Sequence, residues 1–326
     1  PPPTRLPRAR TNILQSMMFA SFGTCAAAAT AAATAATAAS AYVAAEGGGI
    51  VSLTSSLKRP DKPTIVFVHG LDSAKDTWTS VQAELLKDQY PSIALDLRGH
   101  GESPLGDQND FTPHQLAADI RSALLSHGIC RPFVLCGHSM GGMVVMRYAA
   151  EYPNDLAALV VEDMDVRPRS QPQLTPSQLQ RHQSFSRHFS SMDDCKIALE
   201  SFGYGSERIE GWVATGRLFP LPGGGVWSNI NPMARYLACE RVLSSGDARQ
   251  AFTSLENTTF PVYLFVAGKG SVCKDDGPGS VSEMQKILPR MEVSRFPSGY
   301  HSIHNTAMSE FLDKIKAIVD HHSGTH

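Results

Sequence analysis

Between residues 50 and 320 the chain alternates short apolar runs with longer segments of helical period. Thr64–Val68, Ser92–Asp96, Pro132–Cys136, Leu156–Val161 and Pro261–Val266 read as buried strands, and Met291–Phe296 as a weaker one. Between them, helices fit Thr77–Asp88, Thr112–His127 and Gly142–Ala150, the second with Leu116, Ile120 and Leu124 on one face. Met308–Val319 closes the pattern as a helix with Phe311, Leu312, Ile315 and Ile318 aligned. Near-continuous apolar strands separated by amphipathic helices predict a mostly parallel sheet covered on both faces. One stretch interrupts the rhythm. Residues 167–257 show no strand signal and several short helix-like pieces, clearest at Thr175–Phe189 and Asp193–Phe202, with a Pro/Gly-rich turn at Pro220–Gly225. The expected organisation is a core of residues 47–166 and 258–326, with a helical cap of residues 167–257 inserted between two core strands. The cap aromatics Phe185, Phe189, Phe202, Tyr204, Trp212, Phe219, Trp227 and Tyr236 suggest an apolar acyl or aromatic pocket, with most of them serving the cap's own small core.

The first 46 residues have another composition. Glu46 is the first acidic residue, Arg5, Arg8 and Arg10 come early, and Ala, Thr and Ser dominate from Ser21 to Ala45. Such a basic, acid-free stretch has the character of an organelle transit peptide, for a plastid before a mitochondrion. Gly47–Gly49 then reads as a hinge into the folded part.

The net charge of −2 argues against nucleic acid as the main partner. No window is apolar enough to suggest a membrane span. Cys25, Cys130, Cys136, Cys195, Cys239 and Cys273 lack metal-site spacing, and Cys130 and Cys136 read as small buried hydrophobes. His69 and His100 near Asp96 raise a metal reading, but no histidine pair has i, i+4 spacing. Neither a metal nor another cofactor is expected.

Chemistry concentrates at Gly137-His138-Ser139-Met140-Gly141, placed between an apolar strand and a helix. That context makes G-x-S-x-G a nucleophile elbow. Small residues two before and two after the serine leave room for the tight turn. The helix N-terminus behind it favours developing negative charge. A serine nucleophile needs a base, an orienting acid and oxyanion donors. His301 follows the last strand and is the expected base, ahead of His304. The loop Ala267–Ser271 lacks the aspartate that such an architecture usually carries there. The end of the preceding strand offers Glu162, Asp163 and Asp165, of which Asp163 is chosen and the others are rivals. The oxyanion donors expected are the N–H groups of Met140 and Leu71.

HGLDSAK at 69–75, DLRGHGESP at 96–104, GHSMGG at 137–142 and the late His301 together resemble the α/β-hydrolase superfamily over residues 50–320. More closely, the chain is similar to a branch of small acyl-ester hydrolases and acyl-CoA thioesterases. That branch carries its acid in a V-D-I-x-P-like segment, which places its aspartate on Asp163, 24 residues after Ser139. Its G-G-N-S loop is similar to Gly268–Ser271, and its W-x-x-N segment to Trp227–Asn231. Arg98-Gly99 departs from the branch's Arg-Asn, and Tyr300 and Ser302 stand where Gly and Trp are common. Plastid chlorophyll-dephytylating hydrolases resemble the same pattern. The resemblance implies a serine hydrolase acting on a small-molecule ester or thioester with an apolar acyl group. Alternatives on the same triad are a slow, receptor-like hydrolase with a signalling partner, and a cofactor-free haloperoxidase or C–C-bond hydrolase.

Overall fold

A computed structural model describes residues Leu53–Ser55, Arg59 and 61–323, apart from Cys130 and residues 171–172. The expected transit segment lies outside these residues. A seven-stranded sheet forms the centre. Its strands are β1 (Leu53–Ser55), β2 (Ile65–Val68), β3 (Ser92–Leu95), β4 (Phe133–His138), β5 (Leu156–Glu162), β9 (Val262–Ala267) and β10 (Glu292–Phe296), in the order β1-β3-β2-β4-β5-β9-β10. Only β1 runs antiparallel to its neighbour; the other pairings are parallel. The expected mostly parallel α/β sheet is therefore present.

Alternate residues of each strand feed opposite faces of the sheet. Val66 and Val68 face α2 (Pro113–Ser126) and α3 (Met140–Glu151), whereas Ile65 and Phe67 face α1 (Thr79–Lys87) and α11 (Met308–His321). Phe311, Leu312, Ile315 and Ile318 of α11 are buried, as their spacing predicts. Because both faces are covered, the strands read as unbroken apolar runs rather than alternating ones. Cys136 is one such core residue, fully buried on β4.

The insertion between β5 and β9 differs from expectation. Its helices are α4 (Pro176–Gln183), α5 (Met192–Glu200), α6 (Ser206–Ala214), α7 (Pro232–Ala238) and α8 (Asp247–Ser254). It also holds a three-stranded antiparallel sheet of β6 (His188–Phe189), β8 (Val226–Ser228) and β7 (Leu218–Pro220). The expected all-helical insertion is thus corrected to a mixed one, and the helix expected to reach Phe189 stops at Gln183. Strands of two or three residues are too short to show a period of two. The Pro/Gly-rich turn was the available clue: Leu221–Gly225 closes the β7–β8 hairpin, Leu221 N–H donating to Gly225 O at 3.0 Å. Five of the eight aromatics, Phe185, Phe189, Phe202, Tyr204 and Trp212, pack in a separate small core with Cys195, Leu199 and Ile209. The insertion rests on the main sheet's carboxyl-edge loops through arginines. Arg187 donates to the carbonyls of Gly101 and Ser103, and Arg217 to the Asp72 carbonyl and, at 3.1 Å, to Ser73 Oγ.

Two further elements complete the chain: α9 (Val281–Ile287) against the α3 face, and α10 (Ile303–Thr306), which leads into α11. Among the described residues, no helix is long and apolar enough to cross a membrane.

The residues of the DLRGHGESP segment brace the loop after β3. Asp96, fully buried, accepts from Lys75 N and Lys75 Nζ at 2.7 Å each and from Glu102 N at 3.0 Å. Arg98 makes a forked pair with Asp119 of α2 at 2.5 and 2.7 Å, both side chains being almost entirely buried. A buried fork leaves an uncompensated charge when one partner goes. Asp119→Ala is expected to lower unfolding free energy by about 3–5 kcal/mol, measured by urea denaturation; a loss under about 1 kcal/mol would show the pair to act like an exposed one.

Candidate active site

The parallel register sets the site. His138 at the end of β4 lies opposite Glu162 at the end of β5. The next residues, Ser139 and Asp163, leave the sheet side by side. Ser139 N–H donates to Glu162 O at 2.9 Å and Asp163 N–H to Phe265 O at 2.8 Å. Both then turn sharply, with φ of 53° at Ser139 and 48° at Asp163. Asp72, after β2, has φ of 53° as well. Positive φ in a residue with a Cβ is strained and concentrates where function requires a set geometry. Three of the four such residues among those described are at this edge of the sheet.

Gly137 and Gly141 permit the elbow. A Cβ on Gly137 would press into the Gly141 carbonyl, and one on Gly141 would sit 2.5 Å from His69 O. The small residues expected on either side of the serine are thus required by backbone contact. Gly70 brings the loop after β2 equally close, since a Cβ there would lie 3.0 Å from Ser139 Cβ. Leu71 follows directly, and Met140 is the first residue of α3.

Ser139, His301 and Asp163, named separately from sequence, meet here. Ser139 Oγ lies 2.9 Å from His301 Nε2, and His301 Nδ1 lies 2.7 Å from Asp163 Oδ2. With Asp163 ionised, Nδ1 donates its N–H to the carboxylate and Nε2 is left to accept from the serine hydroxyl. Asp163 has a fully buried side chain, His301 is one-third exposed and Ser139 is half-buried. Burial pushes the Asp163 carboxyl up. Donors from His301, Ser271 (2.5 Å), Ala267 N (3.0 Å) and Val272 N (3.1 Å) outweigh this and hold it below the ordinary aspartate range. The segment Ala267–Ser271 holds no aspartate; the end of β9 and the residues just after it instead supply three donors to Asp163, which follows the neighbouring strand.

The rivals are occupied elsewhere. Asp165 pairs with Arg167 at 2.7 Å and Arg169 at 2.8 Å. Glu162 pairs with His304, which accounts for both the rival acid and the rival base. His69 is a buried organiser rather than a ligand: Nδ1 donates to Gly70 O at 2.7 Å and Nε2 accepts from Leu97 N–H at 3.1 Å. Burial holds its pKa well below the usual histidine value, which suits this neutral form. His138, Glu162 and His304 bring possible metal-ligating atoms within 4.8 Å of one another, but Glu162 and His304 already hydrogen-bond to each other, and His138 to the His301 carbonyl. Sequence reasoning missed this set; the signal available was an ionisable residue one position before Ser139 and one before Asp163.

Comparison with known proteins supplies the family. Residues 63–307 match the alpha/beta hydrolase fold family. The chain belongs to the α/β-hydrolase family. Within it, an sn-1-specific diacylglycerol lipase of Mus musculus is 23% identical over 275 residues, covering 79% of this chain and 81% of the lipase. An Escherichia coli protein named as a candidate carbamate hydrolase is 35% identical over 100 residues, but the match spans only 36% of that protein. Among solved structures, a thioesterase domain from the curacin biosynthetic pathway superposes with a TM-score of 0.64 at 20% identity, covering 86% of this chain and all of that domain. This α/β-hydrolase thus shares its fold with enzymes that hydrolyse acyl bonds.

The buried histidine beside Ser139 ties stability to pH. Burial, opposed by the nearby Glu162 charge, lowers His138 to about 4. Above the free-histidine value near 6.5 neither state binds the proton. As pH falls from there to about 4, the unfolded chain takes up a proton that the folded chain refuses, and stability is lost. Thermal unfolding is expected to drop over that window, with His138 contributing about 3 kcal/mol. His138→Gln keeps a donor and cannot titrate, so its unfolding temperature should fall less steeply; parallel curves would remove His138 from the account.

Proposed function

We propose that this α/β-hydrolase is a serine hydrolase of carboxylic esters or thioesters, working through an acyl-enzyme. The observation that carries the reading is the continuous line of hydrogen bonds from Ser139 through His301 to the buried Asp163. Ser139 Oγ attacks the acyl carbonyl while His301 Nε2 takes its proton. Asp163, kept ionised by its donors, holds the Nδ1–H tautomer and stabilises the imidazolium. The N–H groups of Leu71 and Met140 receive the oxyanion, the second at the N-terminus of α3. The imidazolium then protonates the departing alcohol or thiol, and water, activated by His301, releases the acid.

The insertion forms the cap of this site. Its arginine contacts with the Asp72 and Gly101 carbonyls hold it against the loops beside Ser139. Such a cap excludes water and shapes the acyl pocket. Lipase and thioesterase relatives support an acyl substrate with an apolar chain. An organelle address, a plastid before a mitochondrion, belongs to the same reading and rests on the composition of residues 1–46. A fluorescent fusion to those residues should enter isolated plastids.

Hydrolysis of p-nitrophenyl esters from acetate to palmitate, and of acyl-CoAs, tests the chemistry. Ser139→Ala is expected to lower kcat on the order of 10⁶-fold in a folded protein. Wild-type rates in that variant would sink the mechanism. Asp163→Asn should cost on the order of 10⁴ in kcat, whereas a loss of only a few-fold would return the acid's role to Glu162 or Asp165.

A further inference from the structure

Behind the reacting residues stands a second acid–histidine set that the mechanism above leaves unused. Each member neighbours one of the three: His138 precedes Ser139, Glu162 precedes Asp163, and His304 follows His301 by three positions. The Glu162 and His304 side chains are both 0% exposed. Glu162 Oε1 accepts the His304 backbone N–H at 2.9 Å, and His304 Nδ1 lies 2.8 and 2.9 Å from the two carboxylate oxygens. The far ring nitrogen, Nε2, meets Thr77 Oγ1 and Asn305 Nδ2 at 3.0 Å each. The Trp78 ring lies over the His304 ring with centroids 4.1 Å apart. His138 Nε2 donates to the His301 carbonyl at 3.0 Å, and its ring centroid is 4.7 Å from that of His301 and 5.0 Å from that of His304.

Stability alone does not explain this set. Burying a carboxylate costs several kcal/mol, and apolar side chains of similar volume would join these strands at least as well. The contacts nevertheless converge on one object, the turn His301–His304. Its start is held through the His301 carbonyl, and its end through the backbone and ring of His304. Among the described residues, the His301 ring itself hydrogen-bonds to Ser139 and Asp163.

We propose that Glu162, His304 and His138 are positioning residues for His301: the Glu162–His304 clamp and the His138 bond fix its turn, and the buried Glu162 charge favours the imidazolium formed in the reaction. This rests on Ser139, His301 and Asp163 being the reacting residues. Around Glu162 the ionisable groups are Cys136 and His138 of β4 and His304 of α10; around His301 they are Asp163, just after β5, and His138. Burial raises the Glu162 carboxyl, and the surrounding histidines bring it below the ordinary range, so the charge is present at neutral pH. Removing it withdraws a negative charge from the neighbourhood of His301 and leaves the Asp163 bond in place. Removing only the His138 donor loosens the turn without changing the charge.

The test is the rate at which the full chain is labelled at Ser139 by a fluorophosphonate, followed from about pH 5 to 9 to capture the base's ionisation. This probe needs an activated serine and no knowledge of the natural substrate. Glu162→Gln is expected to slow labelling by about 10- to 100-fold through misplacement of the base. It should also move the acidic limb to lower pH by roughly half a unit or more, a change that a merely structural role would not produce. His138→Asn should slow labelling with the limb in place. His138→Gln, whose amide nitrogen can reach the position of Nε2, should restore most of the rate. An unchanged rate and limb in Glu162→Gln, beside an unreactive Ser139→Ala, overturns the positioning role alone. Equal slowing by Asn and Gln at position 138 overturns the His138 bond. Should Glu162→Gln fail to fold by near-ultraviolet circular dichroism, the position 138 pair decides the proposal. Labelling that persists in Ser139→Ala overturns the reaction and this proposal together.

Discussion

The pairing of β4 with β5 is the constraint on which the site depends. Their parallel register sets His138 beside Glu162, so Ser139 and Asp163 emerge together at the carboxyl edge. Both residues then adopt left-handed backbone, which a packed sheet on one side and α3 on the other must hold in place. Gly137 and Gly141 remove the Cβ atoms that would prevent it. The strain is therefore local, and the core that over-determines it is spread across both faces of the sheet.

Given that register, moving the acid from β9 to β5 needs little else. Asp163 lies within reach of the β9 loop, and that loop turns its N–H groups and the Ser271 hydroxyl toward the carboxylate. A buried carboxylate surrounded by donors stays charged despite desolvation. The same logic recurs in Glu162, which is equally buried and is satisfied by His304. Two adjacent acids, the last residue of β5 and the first beyond it, thus meet the two ends of one turn, His301 and His304.

The insertion is joined to the core in two ways. It has its own apolar centre around Leu199, Ile209 and Trp212, and it meets the core loops through arginines that donate to backbone carbonyls. Arg217 and Arg235 both converge on Asp72, one on its carbonyl and one on its carboxylate. Asp72 directly follows Leu71, so the insertion and the loop beside Ser139 share an anchor. The second half of the insertion is joined by apolar contact instead: Met233, Leu237 and Phe252 of α7 and α8 are buried in the main core with Met143 and Val144 of α3.

The sequence by itself determined the parallel α/β sheet, because strands buried on both faces must be apolar throughout and helices must alternate with them. It also determined the elbow, since the backbone contacts there admit only glycine on each side of Ser139. His301 was legible from its place after the last strand. The choice among Glu162, Asp163 and Asp165 was not, because three nearby acids differ only in which face each takes and what meets it there. Tertiary structure decided it by bringing His301 to Asp163, His304 to Glu162, and Arg167 and Arg169 to Asp165. It likewise decided the small sheet in the insertion, whose strands are held by partners up to 39 residues away and are too short to carry a period of their own. Local pattern records what a segment buries; it does not record which distant segment arrives to cover it.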